Sequence, residues 1–325
     1  MTSNRSDRLA TAVGPLQLRN PVLTASGTFG YAQEMAGFFD VAELGGIVTK
    51  TVTLRPRPGN PAPRIAETTA GMLNSIGLQN VGVEAFLRDK LPYLAELDTV
   101  LVVSIMASTA AEFGELAGEL RVDGIDAIEL NLSCPNVSYG GPDDRSAVPL
   151  RGHHLMFAHS PALTEAAVAA ARAATDRPII AKLGPDVPDI VALGTAAERG
   201  GADALCVMNT VPGMVIDTAS RRPVLARASG GLSGPAVRPI GVRLVYQLAA
   251  ALSLPVVGVG GISTAEDALQ YLMAGACAIQ VGTASFVRPT AAREVLLELR
   301  KYIDEESASI EALIGAAQLK EETDG

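Results

Sequence analysis

The sequence predicts a (β/α)8 barrel, and three observations carry that reading. Eight short apolar segments recur along the 325 residues, alanine- and leucine-rich stretches separate most of them, and no low-complexity linker divides the chain. A doubly wound open sheet shares the alternation and is the competing architecture. The whole span, 1–325, reads as one barrel domain with short extensions at each end.

The apolar segments are Pro21–Gly27, Gly45–Thr51, Thr99–Ala107, Ala127–Ser133, Pro178–Gly184, Ala204–Thr210, Pro255–Gly261 and Ala278–Thr283. Their unbroken apolar character suits strands covered on both faces, as in a parallel sheet. Helices are expected at Val83–Leu97, Ala110–Val122, Pro161–Ala174 and Pro188–Arg199. Ser160-Pro161 offers an N-cap followed by a proline at the first helical position, and Ser263-Thr-Ala-Glu266 has the spacing of a capping box. Leu244–Ala265 is uncharged over 22 residues, long enough to cross a bilayer, but Gln247, Pro255 and three glycines split it into a helix end and a buried strand. The last twenty residues, from Glu306, turn polar and acidic around a short Ile310–Ile314 helix and are expected to be peripheral. Two connections, Thr53–Gly82 and Cys134–Ser160, are too long for plain loops. Both follow strand C-termini, the face on which barrel chemistry is built.

Composition narrows the function. With 48% hydrophobic residues, no tryptophan and 4% aromatics, the core must be aliphatic. Acidic residues number 35 against 26 basic ones, and a net charge of −9 disfavours a nucleic-acid partner. Cys134, Cys206 and Cys277 lie far apart without a CxxC pair, which fits a reducing compartment and excludes a zinc ribbon. They also cannot supply the four thiolates of an iron–sulfur cluster. Met1–Arg8 lacks the apolar core of a secretory signal, so a cytoplasmic protein without a membrane span is expected. His153, His154 and His159 share a loop with no metal-site spacing and read as surface residues; no metal site is expected.

The chemistry concentrates at strand ends. Asn131-Leu-Ser-Cys-Pro-Asn136 puts a thiol, two carboxamides and a hydroxyl just past the fourth apolar run, where Cys134 could be a base, a nucleophile or a redox group. Lys50 ends the second run and Lys182 the fifth, and a lysine in an apolar strand needs a negative partner, which a bound anion or an electron-rich ring would supply. Asn209-Thr210 ends the sixth run. With Asn74, Asn131 and Asn136 it gives four carboxamides able to match the alternating N–H and C=O edge of a pyrimidine. Val257-Gly-Val-Gly-Gly-Ile262 and Val281-Gly-Thr283 place glycines after the seventh and eighth strands, the recurrent phosphate site of this fold. Glycines serving only close packing are the alternative.

With these motifs in order, the chain resembles the class 1 dihydroorotate dehydrogenases, specifically the class 1B catalytic subunit. The resemblance runs from Asn20-Pro-Val-Leu-Thr-Ala-Ser-Gly27 to Gly282-Thr-Ala-Ser-Phe286, and its specific motifs include Gly71-Met-Leu-Asn-Ser-Ile-Gly-Leu-Gln-Asn80, Asn131–Asn136 and Gly230-Gly-Leu-Ser-Gly-Pro-Ala236. It implies bound FMN and oxidation of (S)-dihydroorotate to orotate in pyrimidine synthesis, with Cys134 as the base. It assigns substrate contacts to Lys50, Asn74, Ser75, Ile76, Gly77, Leu78, Asn131, Asn136, Asn209 and Thr210. Cofactor contacts fall on Ser26, Lys50, Thr51, Ser104, Asn131, Lys182, Met208, Gly234, Gly260, Gly261, Gly282 and Thr283. It further implies a partner subunit carrying FAD and a [2Fe–2S] centre, two copies of each chain in a heterotetramer, and NAD as final acceptor.

Two departures stand out. Ser104 occupies the end of the third run where the family usually has asparagine and in this resembles the flavin barrel of dihydropyrimidine dehydrogenase instead, and the loop Gly141–Gly152 looks longer and more polar than usual. A fumarate-dependent class 1A enzyme and a dihydropyrimidine dehydrogenase-like reductase are the nearest alternatives. A tRNA-modifying flavin barrel is the alternative from another class.

Overall fold

The computed structural model describes residues 7–133 and 157–319. All eight apolar runs become strands: β1 (Val22–Thr24), β2 (Gly46–Val48), β3 (Val100–Ile105), β4 (Ala127–Asn131), β5 (Ile179–Leu183), β6 (Ala204–Val207), β7 (Val256–Val259) and β8 (Ala276–Val281). They pair in parallel, in sequence order, and β8 closes on β1 to complete the barrel; an open sheet is thereby excluded. Period two sorts each strand. In β4, Ala127, Glu129 and Asn131 share one face and Ile128 and Leu130 the other; in β5, Ile180 and Lys182 oppose Ile179, Ala181 and Leu183. The outward members join the layer between strands and helices, while Ala127 and Ile180 pack with Leu23, Val102, Cys206 and Val257 in the barrel interior. An antiparallel hairpin, Thr11–Val13 with Leu16–Leu18, adds Val13, Leu16 and Leu18 to that interior cluster and holds β8 through a Thr11 Oγ1 hydrogen bond to Cys277 O (2.8 Å).

Helices follow the expected alternation with two adjustments. The Val83–Leu97 stretch divides into Val83–Asp89 and Leu91–Leu94 because Pro92 has no N–H for the carbonyl four residues back. The capping box sits one residue later than predicted. Thr264 is the N-cap, accepting from Asp267 N (3.3 Å), and the shorter Asp267 carboxylate reaches back to the N–H groups of Ser263 (2.9 Å) and Thr264 (3.1 Å). Ser160 caps Pro161–Ala174 as expected. Leu244–Ala265 contains the end of the Arg238–Ala251 helix and all of β7, and among the described residues no helix is long and apolar enough to cross a membrane.

The C-terminal stretch is less peripheral than its composition suggests. Ile310 and Leu313 are buried, and the Gln318 amide donates to Ala274 O (2.7 Å) and Tyr246 O (3.1 Å), tying the tail to two helices. The sequence reading also missed a four-stranded antiparallel sheet of Val211–Met214, Ser229–Ser233, Gly71–Asn74 and Ile65–Thr68, in that order. It joins the connections after β2 and β6. Gly231 lies opposite Asn74 in this sheet, and a Cβ there would fall 1.9 Å from Thr210 Oγ1, so only glycine permits the crossing.

Candidate functional site

The C-terminal ends of the strands open into a pocket walled on one side by the four-stranded sheet. Its floor carries Ser26, Thr51, Asn131, Lys182 and Met208, and one end is formed by Gly260, Gly261, Gly282 and Thr283. The sheet-side wall brings Lys50, Asn74, Ile76, Gly77 and Leu78 against Asn209 and Thr210. Sixteen positions predicted from distant parts of the sequence therefore share one cavity.

Three others lie behind it. Ser75 is buried, with its N–H bonded to Arg64 O (2.7 Å). Gly234 supports the glycine end from outside: its carbonyl would lie 2.8 Å from a Cβ on Gly261. Ser104 is fully buried, its hydroxyl pairs with Thr51 Oγ1 (3.0 Å), and it does not line the pocket. Cys134, Asn136, His153 and His154 lie outside the described residues. His159 ends the short 3-10 turn Phe157–His159.

A polar chain runs across the floor. Asn209 Nδ2 donates to Asn131 Oδ1 (3.0 Å), and Asn131 Nδ2 reaches Thr51 Oγ1 (3.5 Å), which meets Ser104. The chain links the ends of four barrel strands and fixes which amide face each asparagine shows the cavity. Asn209 Oδ1 accepts from Thr210 N (2.8 Å), which orients that amide further. In the wall, Gly77 (φ 74°) and Leu78 (φ 55°) are both left-handed, and for a leucine that conformation is strained, as is common where loops hold ligands.

The two lysines differ in setting. Lys182 is buried, and Nζ donates to Gln280 Oε1 (3.0 Å), Ser26 Oγ (3.3 Å) and Glu129 Oε1 (3.4 Å). Gln280 in turn donates to the other Glu129 oxygen (2.8 Å). The negative partner expected from a ligand is therefore supplied by β4 itself. Burial alone would lower the Lys182 pKa, but the Glu129 carboxylate outweighs it and the net direction is upward. Lys50 has no ion-pair partner among the described residues. Burial first, and Arg64 second, push its pKa below the ordinary lysine value, with Glu34 opposing them. Sequence reasoning missed Glu129 and Gln280; the signal was a charged residue two positions before Asn131 on the same strand face.

At the glycine end, Gly260 (φ 128°) and Gly261 (φ 70°) adopt left-handed backbone, and a Cβ on Gly261 would also meet Arg238 Cβ at 2.9 Å. Asp267 staples this turn, accepting from Ser263 N, Ser263 Oγ, Thr264 N and Arg238. The other two cysteines are inert thiols. Burial pushes Cys277 up to about 12 and Cys206 higher still.

A closed parallel barrel whose strand ends form a polar pocket places the chain among the (β/α)8-barrel enzymes. Residues 8–303 match the family described as dihydroorotate dehydrogenase. The chain is 48% identical over 305 residues to the dihydroorotate dehydrogenase B (NAD(+)) catalytic subunit of Pelobacter propionicus, covering 93% of this chain and 96% of that one. Identity to the protein of the same name from Desulforudis audaxviator is 50% over 312 residues, covering 95% and 97%. The crystal structure of DHODH in complex with ferulenol from Eimeria tenella shares the fold at a TM-score of 0.77 and 21% identity, over 97% of this chain and 90% of that one. The chain belongs to the dihydroorotate dehydrogenase family of oxidoreductases.

The Asp267 staple gives a test of the glycine end. Its carboxyl is buried, which alone would raise its pKa, but hydrogen bonds from Ser263 and the Arg238 charge lower it overall. A depressed pKa means the contribution is present above the ordinary carboxylate range and is lost as pH falls through the folded value. Asp267→Asn should therefore cost about 1–3 kcal/mol at pH 7. Urea unfolding should show the gap to wild type narrowing below pH ~3.9; an equal gap at both pH values would show that charge plays no part.

Proposed function

We propose that this chain oxidises (S)-dihydroorotate to orotate in pyrimidine biosynthesis, as the FMN-carrying catalytic subunit of an NAD-linked enzyme. The observation that carries the proposal is the meeting, in one pocket of a family member, of ring-matching carboxamides, two lysines and a glycine-lined end.

The residues present fit FMN. The left-handed Gly260-Gly261 turn packs too closely on Gly234 and Arg238 for a side chain at 261, and with Gly282 and Thr283 it lines one end of the pocket, which suits a phosphate. Ser26, Thr51, Met208 and the Lys182 ammonium would flank the ring system, with Gly234 and Ser104 acting from behind. When bound, FMN supplies the two-electron acceptor for the hydride leaving substrate C6.

The chain's own residues do the rest. Lys50, with no ion-pair partner among the described residues, would hold the substrate carboxylate. Asn74, Asn131 and Asn209, with Thr210 and the Ser75–Leu78 segment, would pair with the ring edge, and Asn136 would join them. Cys134, directly after the buried Ser133, would accept the C5 proton on Sγ. Loss of that proton and the C6 hydride leaves the C5=C6 double bond of orotate. Cys206 and Cys277 are unsuited to this role, since both are buried in the barrel interior with raised pKa values.

Two ionisations then oppose each other. kcat/KM should rise as the Cys134 thiol deprotonates, near pH ~8.5 if its value is ordinary. It should fall again as Lys50 loses its proton, below the ordinary lysine range because its pKa is lowered. Cys134→Ser, a much weaker acid, should need distinctly higher pH for turnover while retaining FMN. Near wild-type turnover at neutral pH in Cys134→Ala would remove Cys134 as the base.

NAD as acceptor requires an electron path that three scattered cysteines cannot build here. The reading therefore includes a partner subunit with FAD and a [2Fe–2S] centre, two of each chain forming a heterotetramer. The purified chain alone should reduce artificial dyes with dihydroorotate but reduce NAD poorly. Robust NAD reduction without a partner would overturn this, and efficient fumarate use would favour the class 1A alternative.

A further inference from the structure

Among the described residues, the Glu129–Lys182–Gln280 cluster is a buried charged assembly that the chemistry above does not fully use. Three barrel strands contribute one side chain each, all three are buried, and each pair of residues is hydrogen-bonded. Only Lys182 of the three lines the pocket, so Glu129 and Gln280 lie beneath it, on the side away from any ligand.

We propose that Glu129, aided by Gln280, is a positioning residue for the cofactor site: it keeps the Lys182 ammonium charged and fixed at the pocket floor, so that FMN affinity does not depend on the protonation of Lys182 across the neutral range. The inference rests on the FMN reading of the pocket. Three acceptors surround Nζ, on β4, β8 and the turn after β1, and they fix the direction of the ammonium more firmly than an unpaired lysine could be held.

Electrostatics agree with the geometry. The titratable groups facing Lys182 are Glu129 on β4 and Cys206 on β6; Gln280 and Ser26 are neutral. Cys206 stays a thiol because burial pushes its pKa up, so Glu129 is the group that supplies negative charge. Without it, the burial that already opposes the charged form of Lys182 would act unbalanced and release the proton at much lower pH. The pocket would then lose the cation that a ring gaining negative charge needs.

The test compares wild type with Glu129→Gln, Gln280→Leu and Lys182→Met. Apoprotein is titrated with FMN by fluorescence quenching, and the reduction potential of bound FMN is measured against reference dyes, both from about pH 6 to about pH 9. Each variant is read as a ratio or difference to wild type, so that titration of FMN itself cancels. In Glu129→Gln the affinity ratio should worsen by about tenfold or more across the range, one pKa unit corresponding to a factor of ten. The potential should fall progressively below wild type as pH rises. Lys182→Met should bind weakly with a ratio that does not vary with pH. Should Glu129→Gln fail to fold, Gln280→Leu should show a smaller drift of the same sign. A pH-independent, wild-type-like ratio in Glu129→Gln, an unchanged affinity in Gln280→Leu, or a drift that persists in Lys182→Met would each overturn the inference. Failure of the wild-type chain to bind FMN would overturn the underlying reading instead.

Discussion

The structure depends on keeping a charged lysine inside a closed barrel. Eight parallel strands leave an interior that the lower residues fill with Leu23, Val102, Ala127, Ile180 and Cys206, and the N-terminal hairpin adds to that packing. Above this apolar layer sits Lys182, and an isolated ammonium there would either lose its proton or cost several kcal/mol. Glu129 and Gln280, on strands that are not adjacent to one another, meet it across the interior. The polar layer thus marks where packing ends and the pocket begins.

Everything in the pocket is set relative to that layer. Asn131 lies one inward position above Glu129 and pairs in register with Lys182, so β4 delivers its amide to the floor. The chain from Asn209 to Ser104 then ties the strand ends around it. The four-stranded sheet, which needs glycine at 231 to pass Thr210, brings Asn74 over the same floor. At the other end, Asp267 holds the Gly260-Gly261 turn open by fixing the residues that follow it. Opposite ends of one cavity therefore differ in chemistry: amides and Lys50 at one, bare backbone at the other.

Much of this was legible in the sequence because the barrel imposes simple periodicities. The eight strands appeared as apolar runs, and residues toward the C-terminal end of every run but the third proved to line the pocket, since strand C-termini open on one face. What escaped were features that depend on partners distant in sequence. Ser229–Ser233 is a strand because it pairs with Val211–Met214 on one side and with the distant Gly71–Asn74 on the other, and the glycines and proline of the first two hide any strand pattern. Glu129 is one charged residue in an apolar run, and only the closed barrel brings its carboxylate to the Lys182 ammonium. Ser104, which the family resemblance put among the cofactor contacts, lies buried behind the pocket with its hydroxyl on Thr51. The tail from Glu306 looked peripheral by composition, while Ile310, Leu313 and Gln318 anchor it.

The central claim is that one pocket binds FMN with the phosphate at the glycine end and the ring against Lys182. The most direct measurement is a crystal structure of the purified chain with FMN and orotate added. The account predicts FMN phosphate oxygens on the backbone N–H groups of Gly260-Gly261 and Gly282-Thr283, Lys182 Nζ against the ring, and orotate between Lys50 and the Asn74, Asn131 and Asn209 amides. A phosphate bound elsewhere, or orotate seated away from those amides, would contradict it.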